Sequence, residues 1–326
     1  MKILLSRTDR IGDLILSTPA IATVRASFPA AHIAMVTSPH NHIVMERNTD
    51  VDELLVLPRE VRPHAFGATR LGYDVAVALA PRSVDLQLVG ATKAPIRVGY
   101  TYERRWLARL TAPLYVNRMM ISEADPELSE RDPGREVRHE VAQLLDLVAI
   151  AGARNRVETL RLDVTDGDRA GVAGLPEAPI VLHLGQRWFV DGSTLESTLA
   201  LVRRLGELRE VVITVAPECS DLVGAFEAAG GAATLLEGLP FFQWAAVFER
   251  AACVVTVDTG ATHVASAMRR PTLVAFEHRY FRLNSQEWAP YGVPHVLVRK
   301  PGTPDKASLA RFRDEIVNGV KHLLHA

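Results

Sequence analysis

The chain has 326 residues, of which 48% are apolar and 23% are charged, a balance typical of a soluble globular protein. This length exceeds the size at which a single hydrophobic core usually stops growing, so we expect two domains. The formal net charge of −1 gives no reason to expect a nucleic acid partner.

The sequence contains no segment that predicts export or membrane insertion. No window approaches the ~18 apolar residues of a membrane span, and the N-terminal "MKILLSRTDR" has too short an apolar run for a signal peptide. Cys219 and Cys253 lie beside or inside apolar runs, which favours buried free thiols in a reducing compartment. We therefore expect a cytoplasmic protein that contacts a membrane only at its surface. The spacing of cysteine and histidine predicts no metal site, and we expect no cofactor.

In the first hundred residues, short apolar runs alternate with longer amphipathic segments, which predicts strands alternating with helices. The predicted strands are residues 2–6, 32–38, 53–58, 73–80 and 95–100, and the helical segments are 19–28 and 40–48, with a segment around 83–90 extending the pattern. The sequence is then charged and broken, with an exposed loop predicted over 122–134. A helix is predicted over 138–152, where Gly152 is suited to end it.

The same alternation restarts in the second half of the chain. The predicted strands are residues 180–185, 211–217, 233–238, 253–257 and 271–277, and the predicted helices are 193–208, 221–230, 241–251 and 308–324. Two separate series predict an α/β protein of two facing Rossmann-like, doubly wound domains with a central cleft. We place these domains at residues 1–160 and 161–326, with the last helix as a candidate for packing back on the N-terminal domain.

The segment "VVTVDTGATHVASA" contains Asp258, Thr259 and Gly260, a tripeptide typical of the catalytic turn of aspartic proteases. In those enzymes two carboxylates share one proton. Such a protease places two copies of the turn in all-β lobes, whereas this chain has one copy between a predicted strand and a predicted helix. The protease interpretation is therefore disfavoured.

A strand–glycine–helix unit suits an anion site, because the first N–H groups of a helix and its dipole attract negative charge. Gly260 allows a phosphate to approach the backbone closely. Thr259 and Thr262 offer hydroxyl groups, and His263 lies in the first turn of the helix. Asp258 would then cap the turn or bind a sugar hydroxyl. The residues alone leave open the alternative that Asp258 and Thr259 only cap a structural helix.

The first predicted strand leads into the segment "RTDRIGDLILSTPAI". Gly12 permits a tight turn, and Asp13 opens a helix, where the dipole favours a carboxylate. Thr18 and Pro19 are typical of the start of a second helix. A purely structural cap is the alternative for Asp13.

Two arginines, Arg7 and Arg10, flank this loop and are candidates for holding an anionic ligand. The loops that carry Asp13 and Asp258 both follow predicted strands, and we expect them to face the same cleft. This coincidence favours a functional interpretation of both carboxylates.

Several segments occur in order along the chain: "MKILLSRTDRIGDLILSTPAI", "RVGY", "RHEVAQLLDLVAIAG", "LHLG" and "VDTGATHVASAMRRPTLVAFE". Together they resemble the bacterial ADP-heptose:lipopolysaccharide heptosyltransferases, glycosyltransferase family 9. The segment "EWAPYG" also resembles the part of that family that follows its last major strand. The similarity extends over nearly the whole chain, and the pairing of "IGD" with "DTGATHVASA" is its most specific part.

The resemblance implies a GT-B fold and a metal-independent inverting transfer of heptose. The implied donor is ADP-L-glycero-D-manno-heptose, and the implied acceptor is an anionic glycolipid, with a Kdo or heptose residue of the lipopolysaccharide core receiving the sugar. Asp13 corresponds to the general base that takes the proton of the acceptor hydroxyl. The residues assigned to donor binding are Gly12, Arg187, Glu218, Asp258, Thr259, Gly260, Thr262 and His263.

Glu218 matches the acidic residue that holds the nucleoside in the family, with a loop carboxylate in water as the alternative. Many family members carry a lysine in the loop after the strand predicted at 180–185, whereas this chain reads "LGQRWFVDGST" and has Leu184 where proline is common. Arg187 is the nearest cation in that loop.

The prediction of acceptor-binding residues rests on a segment rich in arginine. Residues 97–118 contain five arginines and one glutamate, interleaved with apolar residues, a pattern that suits contact with anionic glycolipid at the inner face of the cytoplasmic membrane. The alternative is a solvated helix face paired with the acidic segment at 122–134. The residues assigned to acceptor binding are Arg7, Arg10, Arg97, Arg104 and Arg105.

Other functions stay open on sequence grounds. The altered loop after residue 184 is compatible with a related transferase that uses another nucleotide-sugar or acceptor. A nucleotide-sugar-binding module without catalysis and a nucleotide-dependent α/β enzyme that transfers no sugar are further alternatives. A dinucleotide dehydrogenase is disfavoured, because no G-x-G-x-x-G follows the first strand.

Overall fold

The computed structural model describes residues 1–124, 126–132, 134–228 and 233–325. The chain forms two compact units, Met1–Leu162 and Asp163–Ala326. Each unit contains one six-stranded sheet in which every strand pairing is parallel. The α/β class expected from the alternating pattern is therefore confirmed.

Unit 1 follows the doubly wound pattern. Its strands are β1 (Lys2–Ser6), β2 (His32–Thr37), β3 (Glu53–Val56), β4 (Val75–Ala78), β5 (Ile96–Tyr102) and β6 (Arg118–Ser122), and its α-helices are α1 (Ile11–Ser27), α2 (Ser83–Ala91), α3 (Trp106–Thr111), α4 (Pro126–Arg131) and α5 (Glu140–Ile150). The strand order is β3-β2-β1-β4-β5-β6. The connections leave β1 and β4 in opposite directions along the sheet, so the carboxyl ends of these two strands form a switch point suited to ligand binding.

Helix α1 is longer than the sequence predicted. We expected a turn at Gly12 and a second helix beginning at Thr18 and Pro19, but one helix runs from Ile11 to Ser27 with Pro19 inside it. Proline has no N–H for the carbonyl four residues earlier, which is that of Ile15. The hydroxyl of Thr18 donates to this carbonyl at 2.7 Å and takes the place of the missing donor. The prediction of a helix boundary was therefore wrong.

Two further predictions in unit 1 need correction. The helix expected at 40–48 is only a short 3-10 turn, His42–Met45. Part of the exposed loop expected at 122–134 is α4, while Asp125 and Pro133 lie outside the described residues. Strand β6 was missed because it lies at the sheet edge with mixed burial and gives no continuous apolar run.

Unit 2 repeats the same topology. Its strands are β7 (Ile180–Leu184), β8 (Val211–Val215), β9 (Thr234–Leu236), β10 (Cys253–Val257), β11 (Thr272–Phe276) and β12 (His295–Arg299), and its α-helices are α6 (Asp166–Ala170), α7 (Leu195–Gly206), α8 (Leu222–Ala228), α9 (Phe241–Arg250), α10 (Gly260–Ala267), α11 (Phe281–Glu287) and α12 (Lys306–His325). The order is β12-β11-β10-β7-β8-β9. The switch point therefore lies at the carboxyl ends of β7 and β10.

The core of unit 2 lies between the sheet and its covering helices. Helix α12 contributes an apolar stripe to this core, with Phe312, Ile316 and Val320 buried against residues of the sheet. A Cβ at Gly319 would come within 2.6 Å of Leu273 Cδ1, so this glycine lets α12 approach the sheet closely. Strand β12 and helix α11 were not predicted, and the last two residues of the helix expected at 221–230 lie outside the described residues.

Candidate active site

The loop after β1 is built around a buried guanidinium. Arg7 is 2% exposed, and its Nη1 donates to the carbonyl of Leu79 at 2.6 Å, across the switch point between β1 and β4. The same nitrogen donates to Ser17 Oγ in α1 at 3.2 Å. Asn41 Nδ2 donates to the carbonyl of Arg7 at 3.1 Å. These bonds fix the loop, and with it the start of α1, against the end of the sheet.

Three carboxylates surround the Arg7 guanidinium. Glu140 Oε1 lies 2.8 Å from Nη1, Asp9 Oδ1 lies 3.1 Å from Nε, and Asp13 Oδ1 lies 3.4 Å from Nη2. Glu140 Oε1 also accepts the hydroxyl of Tyr100 at 2.9 Å. The cluster therefore carries more negative than positive charge in a largely buried setting.

Asp13 is the member of this cluster that combines exposure with a strongly perturbed pKa. It is the third residue of α1, and its side chain is 19% exposed. Burial raises the pKa of Asp13 to about 7, Arg7 opposes this shift, and the charges of Asp9 and Glu140 add to it. A carboxylate whose pKa lies near neutral pH can accept a proton from a bound hydroxyl and still be ionised beforehand.

A second buried carboxylate supports the loop from below. Asp85, at the start of α2, accepts hydrogen bonds from the hydroxyl groups of Ser6 at 2.6 Å and of Thr8 at 3.0 Å. Burial raises the pKa of Asp85 to about 6, and these hydrogen bonds oppose the shift. Because Asp85 is fully buried, its role is to fix the end of β1.

An open cavity of about 350 Å³ lies beside this loop in unit 1. Its lining includes Thr8 together with the basic side chains of His40, Arg59, Arg62 and Arg82. Arg59, Arg62 and Arg82 were not predicted as site residues. Arg59 and Arg62 lie in "PREVRPH", between predicted elements, and only the fold brings that segment next to the β1 loop.

The arginines assigned to the acceptor occupy different settings. Arg10 is exposed at the N-cap of α1. Arg97 donates to the carbonyls of Ala94 at 2.7 Å and Tyr115 at 2.9 Å. Its guanidinium therefore links the segments that precede β5 and β6. Arg104 pairs with an exposed glutamate at 3.4 Å, and Arg105 lies 4.9 Å from the centre of a tyrosine ring. Of these, Arg7 belongs to the Asp13 cluster.

Helix α3 carries an exposed apolar surface next to these arginines. Trp106 is 63% exposed, Leu107 60%, Leu110 69% and Leu114 74%. Isolated exposed apolar residues are ordinary, but four large ones within nine positions, three in α3 and Leu114 just after it, are unusual. In the described part of the chain, no helix is both long enough and apolar enough to cross a membrane.

In unit 2, β10 is followed by a turn and then by a helix, as the sequence pattern predicted. Helix α10 begins at Gly260, with Thr259 extended at its N-cap. The hydroxyls of Thr259 and Thr262 donate to the carbonyl of Val257 at 3.3 and 2.9 Å, so these protons hold the turn to the strand. His263 is 4% exposed. The donors that such a turn presents to a ligand are the first N–H groups of the helix.

Arg187 joins the two loops at the switch point of unit 2. Its Nη1 donates to the carbonyl of Asp258 at 2.7 Å and pairs with Asp258 Oδ2 at 2.8 Å, while its Nε lies 3.6 Å from Glu277 Oε1. The Arg187 side chain keeps 38% of its surface exposed. The cation of the β7 loop is thereby held at the start of α10, and Asp258 is engaged in an ion pair.

Lys300 anchors the β7 loop from the end of β12 and was missed by the sequence analysis. The residue is 1% exposed, and its Nζ donates to the carbonyls of Arg187, Trp188 (3.3 Å) and Val190 (3.1 Å). Burial lowers the pKa of Lys300 to about 8, against the opposing charges of Asp191 and Glu277. The loop that carries Arg187 is therefore fixed by a buried amine.

Glu218 lies in an exposed 3-10 turn directly after β8. A Cβ at Gly185 would lie 3.7 Å from Glu218 Oε1, so the loops after β7 and β8 come close together. His183, near the end of β7, is buried in the core, unlike the exposed Glu218. It contacts Thr214 Oγ1 at 2.9 Å and lies 5.2 Å from the ring of Trp244, and burial lowers the pKa of His183 to about 4.

Among residues 1–124, 126–132, 134–228 and 233–325, no group of three or more His, Cys, Asp or Glu side chains has an arrangement that could hold a metal ion. Cys219 and Cys253 are buried free thiols.

Each of the two units therefore has a parallel sheet with polar loops at its switch point, an arrangement suited to ligand binding. Residues 200–311 match the sequence model of glycosyltransferase family 9 (heptosyltransferase). The match includes Glu218 and the Asp258 turn. It confirms the predicted resemblance to that family and supports the prediction of a glycosyltransferase. A comparison with curated protein sequences gave no match.

Solved structures with similar folds include three bacterial proteins. A glycosyltransferase family 9 protein from Veillonella parvula has a TM-score of 0.77 at 18% identity, covering 99% of this chain and 97% of that one. The Escherichia coli ADP-heptose lipopolysaccharide heptosyltransferase II has a TM-score of 0.74 at 17% identity, with 99% and 98% covered. The E. coli heptosyltransferase WaaC with ADP has a TM-score of 0.67 at 16% identity, with 98% and 99% covered. These likenesses confirm the GT-B fold.

Proposed function

We propose that this glycosyltransferase moves heptose from ADP-heptose to an anionic glycolipid of the lipopolysaccharide core, with inversion at the anomeric carbon and without a metal ion. The observation that carries the proposal is Asp13, a partly exposed carboxylate at the switch point of unit 1 with a pKa raised to about 7. A transferase of this kind needs a base of that proton affinity beside its acceptor.

Asp13 acts as the general base. Its ionised carboxylate accepts the proton of an acceptor hydroxyl while that oxygen forms a bond to the anomeric carbon of the donor. The bond from that carbon to the diphosphate breaks on the opposite face, which inverts the configuration. The 3.4 Å separation between Asp13 and Arg7 leaves the carboxylate loosely paired, so it remains available to the incoming hydroxyl.

The donor nucleotide binds at the switch point of unit 2. The departing diphosphate gains negative charge in the transition state and needs fixed positive charge nearby. The first N–H groups of α10 and the Arg187 guanidinium supply it, and Lys300 holds the Arg187 loop in position. Glu218 accepts hydrogen bonds from the nucleoside, as the family resemblance implies. Solved relatives with this fold include heptosyltransferase WaaC with ADP and with ADP-2-deoxy-2-fluoro heptose.

The acceptor binds in the basic cavity of unit 1. Arg59, Arg62 and Arg82 line a volume of about 350 Å³ beside Thr8, two loop positions after β1. Guanidinium groups bind carboxylates and phosphates in two-pronged geometry, which suits an acidic sugar or a phosphorylated lipid head. The exposed apolar residues of α3, with Arg104 and Arg105 beside them, rest on the membrane surface that holds this lipid.

The test is transfer to a defined acceptor. Purified protein is incubated with ADP-heptose and a Kdo-lipid acceptor, and the product is measured for the natural chain and for Asp13→Asn. We expect transfer by the natural chain in the presence of a metal chelator, and a loss of at least about 100-fold in kcat for the variant, with unchanged donor affinity by calorimetry. Full activity of Asp13→Asn would refute the assignment of the base.

One observation favours a second candidate, a related transferase with another donor. The loop after β7 carries Arg187 rather than a lysine, and Asp258 and Glu277 both lie within ion-pair distance of it. A partly neutralised arginine gives the donor site a different charge from that of a free lysine. Calorimetry with ADP-heptose, ADP-glucose, and GDP and UDP sugars distinguishes the candidates, and binding without turnover would identify a non-catalytic module.

A further inference from the structure

Three separated segments meet at the Asp13 cluster. Arg7 comes from the β1 loop, Tyr100 from β5, and Glu140 from the first position of α5. Glu140 Oε1 lies 2.8 Å from Arg7 Nη1 and 2.9 Å from the hydroxyl of Tyr100. Glu140 is 1% exposed, so it cannot contact a sugar or a phosphate directly. Its effect on a reaction must pass through the groups that it contacts, such as Arg7, and through its charge.

The balance of charge around Arg7 indicates what Glu140 does there. One guanidinium faces three carboxylates, and the two shorter distances belong to Glu140 and Asp9. With both ionised, Arg7 is already overcompensated, and ionising Asp13 adds a further like charge to a buried group. Like charges that share a site cannot all ionise easily, so the carboxyl at the longest distance from the cation keeps its proton most readily.

The field of Glu140 is little screened by its surroundings. Its second oxygen, Oε2, is buried, and none of the described residues gives it a hydrogen bond. The first oxygen, Oε1, accepts hydrogen bonds from Arg7 and from the hydroxyl of Tyr100. A buried carboxylate with this arrangement acts as a fixed negative charge at short range.

We propose that Glu140 is a positioning residue that acts through Arg7 to keep Asp13 a proton acceptor near neutral pH. The proposal rests on Asp13 being the general base of the proposed function. Without the charge of Glu140, Arg7 would pair fully with Asp13 and hold it as a weak base. With the charge of Glu140 present, Arg7 orients Asp13 while most of the charge of Arg7 is balanced by Glu140.

The charged groups around Asp13 come from three elements. Arg7 and Asp9 lie in the β1 loop, Arg10 precedes α1, and Glu140 begins α5. The positive charges of Arg7 and Arg10 favour the ionised form of Asp13, and the negative charges of Asp9 and Glu140 oppose it. Removing the charge of Glu140 therefore lowers the pKa of Asp13.

A carboxyl NMR titration tests this independently of activity. The carbon-13 signal of the Asp13 carboxyl, assigned by its loss in Asp13→Asn, is followed against pH in the natural chain and in Glu140→Gln. We expect the Asp13 midpoint to shift to lower pH by on the order of 1 unit in Glu140→Gln. Glu158→Gln is the matched control, because Glu158 pairs with Arg156 at 2.7 Å but is exposed and should leave the midpoint unchanged.

Transfer kinetics supply the second measurement. In Glu140→Gln the acid limb of the kcat/KM profile should shift to lower pH by the same amount, and kcat on the plateau should fall about tenfold because a weaker base remains. Glu140→Asp keeps the charge and should retain most of the natural midpoint, so a shift in a folded Glu140→Asp protein as large as that expected for Glu140→Gln also contradicts the proposal. An unchanged Asp13 midpoint in a folded Glu140→Gln protein overturns the proposal. A shifted midpoint without any transfer by the natural chain overturns the proposed function alone.

Discussion

The raised pKa of Asp13 predicts that this carboxylate destabilises the fold when it is ionised. In Asp13→Asn the side chain keeps its size and loses its charge. The ion pair that this substitution removes is weak, since Asp13 lies 3.4 Å from Arg7, the longest of the three ion pairs of that arginine with carboxylates. We therefore expect the variant to be more stable than the natural chain at a pH where Asp13 is ionised, while transfer is abolished.

The size of the effect follows from the shift in pKa. The pKa rises from 3.8 to about 7 on folding, so the folded state binds a proton more tightly than the unfolded chain between these values. Stability contributed by this group is present at low pH and declines as the pH rises from about 4 to about 7. Each pH unit in this range changes the free energy of unfolding by about 1.4 kcal/mol. Between about pH 5 and about pH 7 the loss of stability is therefore about 2–3 kcal/mol.

Urea unfolding at about pH 5 and about pH 8 measures this difference. The advantage of Asp13→Asn over the natural chain should grow by about 2–3 kcal/mol between the two conditions. Hydrogen exchange of the α1 amides locates the gain in unit 1. Asp146→Asn, at an exposed carboxylate paired with Arg138 and Arg156, is the control and should show no such growth. An advantage that is equal at both pH values would refute the reasoning.

Further predictions concern the donor site and the α3 surface. Arg187→Ala breaks the ion pair with the turn before α10 and should weaken ADP-heptose binding by about 1–3 kcal/mol in calorimetry. Lys300→Met removes the donor of three loop carbonyls and should lower donor affinity about tenfold with a small change in the pH 7 melting temperature, which a binding titration and a thermal scan measure. A double change, Trp106→Ala with Leu110→Ala, should reduce cosedimentation with anionic vesicles, whereas Leu71→Ala, at another exposed leucine, should not.

The fold was largely predictable because its inner strands carry a strong local signal. Strands such as β1, β7 and β10 are buried along nearly their whole length, so each appears as a continuous apolar run. The edge strands β6 and β12 mix exposed and buried positions and were missed. Helix α1 was divided because its internal proline is a strong local stop signal that a threonine hydroxyl overrides.

The site was predictable only where a residue and its partners share a loop. Asp258 follows β10 directly and Asp13 lies in the first turn of the helix after β1, so both positions could be inferred from strand ends. Glu140 lies 133 residues from Arg7 along the chain, and Lys300 lies 113 residues from Arg187. No periodicity or spacing predicts such pairings, because they form only once the connections of each sheet are folded.

The two units use the same device at equivalent positions. In each, an arginine from the loop after the first strand reaches across the switch point to a backbone carbonyl after the fourth strand, from Arg7 to Leu79 at 2.6 Å and from Arg187 to Asp258 at 2.7 Å. The surroundings then separate their roles. Arg7 is buried among three carboxylates that outweigh its positive charge, and this surrounding suits a carboxylate that accepts a proton. Arg187 keeps 38% of its side chain exposed and faces a helix N-terminus, which suits an anion. The same topology therefore gives the two arginines different surroundings, which suit the proton acceptor that we propose in unit 1 and the anion site that we propose in unit 2.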